Sequence, residues 1–211
     1  MITAENIKAI FESCEFRSDL EALSSYAANI RQERPIVVLF AKYFWQKGHK
    51  VALEKNKCDL VVDGTRIEFK VHYDSDVQTL RWELTKYGDN IERLMEAVSA
   101  KKHSPTWAIC PGIYKDVIVK RPDIFVWILS VRDLSKLTDD EMSRVCWSSE
   151  QRKYNRNRPY GSNQEFLDVV DSFLAKLQKL RMFSIQRATA ITSGDFPSEY
   201  QLRLCEFPNG Q

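Results

Sequence analysis

The sequence predicts an α/β domain built on a mixed β-sheet flanked by helices, and three observations carry that prediction. Asp63-Gly64 sits between two apolar runs rich in β-branched residues, the strongest short-range signal for a hairpin with a two-residue loop. Near-continuous apolar runs at 106–110 and 124–131 suit strands covered on both faces. Helical periodicity fills the stretches on either side of them.

In chain order, a first helix is expected over residues 4–13. Thr3 is its N-cap, because a threonine hydroxyl there can accept an otherwise orphaned first-turn amide. A second helix begins after Ser18, with Leu20, Leu23, Ala27 and Ile30 at helical spacing. Pro35 restarts or kinks the helix, since proline suits a first turn and not an interior. Ile36, Leu39, Phe40, Tyr43 and Phe44 supply an apolar stripe ending near Lys47, and Gly48 stops it. A short strand follows at 50–53, then the hairpin at 59–70, extending to about Tyr73. Residues 76–102 read as mostly helical, broken at Gly88-Asp89, where Asp89 and Glu92 suggest a restarted capping box. After the strands at 106–110 and 124–131, capping boxes at Thr138/Glu141 and Ser162/Glu165 open two helices. The second carries Phe166, Val169, Val170, Phe173, Leu174 and Leu177. Beyond Arg181 the periodic signal fades. The chain thus reads as one domain, 1–211: N-terminal helices (1–32), a core (33–131) and a C-terminal helical extension (132–211).

Composition narrows the function classes. At 44% apolar, with eleven Phe and five Trp, 211 residues can bury a full core. A net charge of +2 excludes a globally basic nucleic-acid binder, so a nucleic-acid ligand would be held by local patches. No window approaches about 18 uninterrupted apolar residues, so no membrane span is expected. Residues 1–17 lack the basic flank and apolar core of a secretory signal. Five scattered cysteines without zinc-like spacing read as reduced thiols, which points to a cytoplasmic protein.

The hairpin holds the chemistry. With a two-residue loop, Leu60, Val62, Ile67, Phe69 and Val71 share one face, and Asp59, Val61, Arg66, Glu68, Lys70 and His72 share the other. Asp59 is then directly opposite Glu68, where Cβ atoms are about 4.5–5.5 Å apart and like charges repel. A bound cation would remove that repulsion, and Lys70 stands beside it.

An acid, a second acid nine residues on and a lysine two residues further resemble the motif of the PD-(D/E)xK nuclease superfamily. Here the motif reads Cys58-Asp59 followed by Glu68-Phe69-Lys70, with cysteine in the place of the proline. The likeness spans about residues 32–131 and implies a restriction-endonuclease-like core. It also implies Mg²⁺, or Mn²⁺ in its place, held by Asp59, Glu68 and the Phe69 backbone carbonyl. Lys70 would orient the attacking water or stabilise transition-state charge, and Glu33, on the preceding helix, would assist through water or at a second metal site. The activity implied is Mg²⁺-dependent hydrolysis of double-stranded DNA. The C-terminal extension with its basic loop leans toward a sequence-specific type II restriction enzyme, and cutting both strands of a palindrome calls for a homodimer. The N-terminal helices or the helix bearing Phe166 would supply the dimer interface. Alternatives are another nuclease of the family, acting on junctions, phage DNA or repair intermediates, and a DNA-binding protein that has lost catalysis.

Two further features concern DNA. His72 falls on the Glu68/Lys70 face, as a rim residue or a phosphate contact. Arg152, Lys153, Tyr154, Asn155, Arg156, Asn157 and Arg158 open the most basic stretch of the chain, loop 152–160, whose residue types suit phosphate contact, base-edge hydrogen bonding and stacking. Replacing Arg156 and Arg158 with Ala is expected to weaken DNA binding and flatten its salt dependence. Affinity that stays unchanged across a salt titration would remove this loop from the interface.

Overall fold

Asp63 and Gly64 both take left-handed backbone conformations, with φ of 49° and 88°. Positive φ at both central residues marks a type I′ turn, whose twist matches that of the strands it joins. In the computed structural model the turn links β2 (Leu60–Val62) to β3 (Thr65–Tyr73). Val62 lies opposite Thr65, Val61 opposite Arg66 and Leu60 opposite Ile67, the predicted register. β1 (Val51–Leu53) pairs antiparallel with β2, and β4 (Ile124–Val131) runs parallel to β3. The structure describes residues 1–26, 32–73, 76–87, 93, 96, 109–131, 138–145, 163–192 and 198–208.

The first helix, α1 (Ala4–Phe11), starts at the expected cap. Thr3 Oγ1 accepts the Asn6 amide, and the Asn6 side chain accepts the Thr3 amide in return. α2 (Cys14–Tyr26) begins earlier than Ser18, because the Ser13 hydroxyl accepts the Phe16 amide and caps the helix there. α3 (Glu33–Gln46) carries Pro35 in its first turn, and Gly48, at φ 86°, follows its end.

Two expectations fail. Residues 109–110 do not end a strand; they open a short helix, α5 (Ile109–Tyr114). The buried Glu83 carboxylate, on α4 (Val77–Tyr87), accepts the Ile109 amide at 2.9 Å and the Cys110 amide at 2.6 Å. That cap comes from 26 residues away in the chain, so a local reading sees only an apolar run. Residues 106–108, the break at Gly88-Asp89 and the cap at Ser162 lie outside the described residues.

The second failure is the C-terminal helical extension. Helices α6 (Asp139–Val145), with its Thr138/Glu141 capping box, and α7 (Asn163–Gln178) are present. They are followed, however, by two nine-residue strands, β5 (Ser184–Thr192) and β6 (Ser198–Glu206). β6 pairs antiparallel with both β4 and β5. The product is a mixed six-stranded sheet in the order β1-β2-β3-β4-β6-β5, to which both halves of the chain contribute.

Both faces of the sheet are covered. Ile67 and Phe69 of β3 point into a core closed by α1, α2 and α3, where the Phe40 ring lies 5.3 Å from that of Phe69. Phe125, Trp127 and Leu129 of β4 point the other way, into a core closed by α4, α5 and α7. The apolar faces of α1, α2 and α7 are spent inside these cores, among them Phe16, Leu20, Phe166 and Phe173. A dimer interface on these helices would therefore use their outward faces. No helix among the described residues is long and apolar enough to cross a membrane.

The turn can be tested by itself. A Cβ at Gly64 would meet nothing within 4 Å, so Gly64→Ala probes backbone conformation alone. Its expected cost is about 1–2 kcal/mol in chemical denaturation. A loss below a few tenths of that would contradict the left-handed turn.

Candidate active site

β3 is nine residues long and β2 only three, so the ladder between them ends at Leu60 and Ile67. Beyond that point no described strand pairs with the amides of Phe69, Val71 and Tyr73 on this edge. Each donates to a carboxylate instead. The Phe69 amide donates to Asp59 Oδ2 at 2.8 Å, the Val71 amide to Glu33 Oε2 at 3.3 Å, and the Tyr73 amide to Asp76 Oδ2 at 3.0 Å. Buried or half-buried amides need acceptors, and anionic acceptors make the stronger bonds. Asp59 thus sits one residue past the last ladder pair and is not paired across the hairpin with Glu68. This corrects the expected face-to-face acids, although the two charges remain close enough to act on each other.

Glu33 is fixed from behind by its neighbour. The buried Gln32 donates its amide to Tyr73 Oη at 3.0 Å, and its Oε1 accepts from Tyr200 Oη at 3.0 Å. The start of α3 is thereby tied to the ends of β3 and β6. Glu33 Oε1 accepts from Lys70 Nζ at 3.3 Å.

Glu68 and Lys70 project to the face opposite Ile67 and Phe69, beside Phe125 and Trp127 of β4. Two residues that the sequence reading passed over meet them there. Asp116 lies on a π-helical turn, Lys115–Val119, that joins α5 to β4, and Lys120 caps its C-terminal end. Lys120 Nζ binds Glu68 Oε1 and, at 2.8 Å, Asp116 Oδ1. Lys70 Nζ stands 3.6 Å from Asp116 Oδ2 and 3.9 Å from Glu68 Oε1. Glu68 is fully buried, and its Oε2 has no hydrogen-bond partner among the described residues.

This packing sets the charge states. Burial pushes the Glu68 carboxyl up to about 7; Asp59 and Asp116 add to the shift, and Lys120 opposes it. Burial works against the Lys70 ammonium, but Glu33, Asp116, Asp59 and Glu68 outweigh it and hold its pKa above the ordinary lysine value. Lys120 is held charged in the same way, by Asp116 and Glu68 against burial. Cys58, in the proline position of the motif, is buried and its thiol is pushed up to about 11, by burial first and the Glu68 charge second. It stays a thiol at neutral pH and offers neither a thiolate ligand nor a nucleophile.

The sequence-predicted residues divide clearly. Asp59, Glu68, Lys70 and Glu33 come together, with the Phe69 backbone between the acid and the lysine. His72 is half-buried and turned to the core, its Nδ1 accepting from the Trp127 indole N–H at 2.9 Å. That anchoring does not support the phosphate-contact role. Loop 152–160 lies outside the described residues. Asp116 and Lys120 were missed because acid and base four apart read as a routine solvated helix pair.

A hard divalent cation fits this donor set. All candidate ligands are oxygens, one buried oxygen lacks a partner, and four carboxylates face only two ammonium groups. Among the described residues no three acidic, histidine or cysteine side chains stand ready-made around one point to hold an ion. The lysine ammoniums lie between the acids. The chain matches no protein-family model, no curated protein and no solved structure.

The raised Glu68 pKa gives a signed expectation. The folded protein binds the Glu68 proton more tightly than the unfolded chain does, so this group favours folding most below about pH 4.5. Its contribution is lost as pH rises to about 7. In cation-free buffer, wild type should lose stability relative to Glu68→Gln across that window, followed by denaturation at successive pH values. A difference that stays constant or grows in favour of wild type would contradict the burial of Glu68.

Proposed function

We propose that this protein is a divalent-cation-dependent nuclease of the PD-(D/E)xK kind, hydrolysing phosphodiester bonds in DNA with Mg²⁺ or Mn²⁺ as cofactor. The observation that carries the reading is a fully buried glutamate, one oxygen of which has no partner among the described residues. Lys70 and Lys120 stand against it, the Asp59 and Asp116 charges act on it, and Glu33 is joined to it through Lys70. Stability alone does not explain such a group, because a buried charge costs more than its pairing returns unless the geometry is excellent.

When bound, the cation supplies Lewis-acid polarisation of the phosphate and a more acidic water. Asp59, Glu68 and the Phe69 carbonyl are the groups that would hold it. Lys70 carries a positive charge fixed by four surrounding carboxylates, and its amine is only partly buried, so it can meet the scissile phosphate or the attacking water. Glu33 binds Lys70 and the Val71 amide together, which makes it a positioning residue for Lys70.

A dimeric, sequence-specific type II restriction enzyme is the narrower form of the proposal. Its support is the basic 152–160 loop, since residues 184–206 complete the sheet instead of forming a recognition lobe. DNA-bound homodimers follow from the need to cut both strands with two-fold symmetry.

Supercoiled plasmid is expected to be nicked or linearised in Mg²⁺ or Mn²⁺ and left intact in EDTA. Asp59→Ala and Lys70→Ala should each slow cleavage by at least about 100-fold, the usual loss when one charge-stabilising group is removed. No metal-dependent cleavage of DNAs of varied sequence and structure, junctions included, would defeat the enzyme and favour a DNA-binding protein. Mapped ends would separate a restriction enzyme from a resolvase.

A further inference from the structure

The π turn at Lys115–Val119 delivers two charged side chains to Glu68 from outside the hairpin. The Lys120 amide donates to the Lys115 carbonyl at 2.9 Å, the five-residue step of a π turn. This step leaves Asp116 buried and brings Lys120 Nζ onto Asp116 Oδ1 and Glu68 Oε1 together. One ammonium therefore joins two buried carboxylates, while Glu68 Oε2 has no partner among the described residues in the same pocket. The Lys120 side chain is 27% exposed, so its amine has a short way out to solvent.

We propose that Asp116 is a further carboxylate of the cation site beside Asp59 and Glu68, and that Lys120 is the resident counterion of that site, leaving the carboxylates when a divalent cation enters. This rests on the cation-dependent reading above. Mg²⁺ and Mn²⁺ take oxygen ligands, and Asp116 and Glu68 already share a single positive centre. Removing Lys120 leaves the two buried carboxylates balanced only by the longer Lys70 contacts, and a divalent ion relieves their repulsion without first displacing the Lys120 ammonium. Affinity for the ion then rises on loss of Lys120 and falls on loss of Asp116. A Lys120 that merely braced the fold would act the other way, its loss disordering the site and weakening binding.

The probe is Mn²⁺ alone, titrated into the full chain without DNA and followed by electron paramagnetic resonance or calorimetry. Lys120→Met is expected to bind Mn²⁺ at least about tenfold more tightly than wild type. Lys120→Arg, which keeps the charge, should stay near wild type, and Asp116→Asn should bind at least about tenfold more weakly. Melting supplies a second readout: Lys120→Met should melt lower than wild type without metal and gain more from Mn²⁺. If Lys120→Met folds only with Mn²⁺ present, that rescue supports the assignment; if it folds under neither condition, Asp116→Asn decides. Wild type that binds Mn²⁺ while folded Lys120→Met binds no tighter, or Asp116→Asn binds equally well, overturns this assignment alone. Absence of Mn²⁺ binding in wild type and every variant overturns the cation-dependent reading itself.

Discussion

The unequal lengths of β2 and β3 organise this end of the molecule. A nine-residue strand beside a three-residue one leaves a row of alternate amides facing outward from the sheet. Such a row is a hazard in a solvent-exposed strand, because it can pair with another chain. Here Asp59, Glu33 and Asp76 close it, one from the approach to β2, one from the start of α3 and one from the start of α4. One of these three acids, Asp59, is a ligand of the proposed cation site, and another, Glu33, binds Lys70 beside it. The same hydrogen bonds that satisfy the edge therefore also aim carboxylates toward the Glu68/Lys70 face. The Gln32 ties to Tyr73 and Tyr200 hold the Glu33 end of that arrangement in register with the centre of the sheet.

Burial of Glu68 is the second constraint and follows from the first. Alternation along β3 puts Ile67 and Phe69 into one core, and this sends Glu68 to the opposite face, against β4. That face is covered too, so the charge has to be met by cations or neutralised by a proton. Lys120 meets one oxygen, and the raised pKa shows that the compensation is incomplete. The π turn serves the same demand, since it sets an acid and a base from the crossover segment against a strand more than forty residues earlier in the chain.

Much of this was legible in the sequence where the signal is local. Asp63-Gly64 specified both the turn and the strand register, and Thr3 and Gly48 marked helix ends through their own backbone chemistry. The remainder depends on partners distant in sequence. Strand β5 does alternate, but its buried face carries Ala188, Ala190 and Thr192 while Ile191 points to solvent at 69% exposure, which inverts the usual hydrophobic cue. In β6 the buried Arg203 interrupts the apolar pattern and is held by Asp171 of α7 at 2.6 Å. Ile109 and Cys110 look like a strand until the Glu83 carboxylate is found capping them. Asp116 and Lys120 give no local sign of burial at all.

The two site lysines illustrate why position and not residue type assigns chemistry. Lys120 is bound closely by two carboxylates, which fixes its amine at one point. Lys70 makes three longer contacts, at 3.3, 3.6 and 3.9 Å, to acids on three different elements. No single partner holds it, yet their combined field keeps it charged. An ammonium stabilised by a field can turn toward an arriving phosphate while keeping its proton, because part of the attraction persists over the few ångströms it moves. An ammonium stabilised by two short hydrogen bonds loses both when it moves, unless another cation replaces it. On the cation-dependent reading proposed above, Lys70 is the lysine suited to meet substrate and Lys120 the one suited to balance the charge of the acids, although both reach the same buried glutamate.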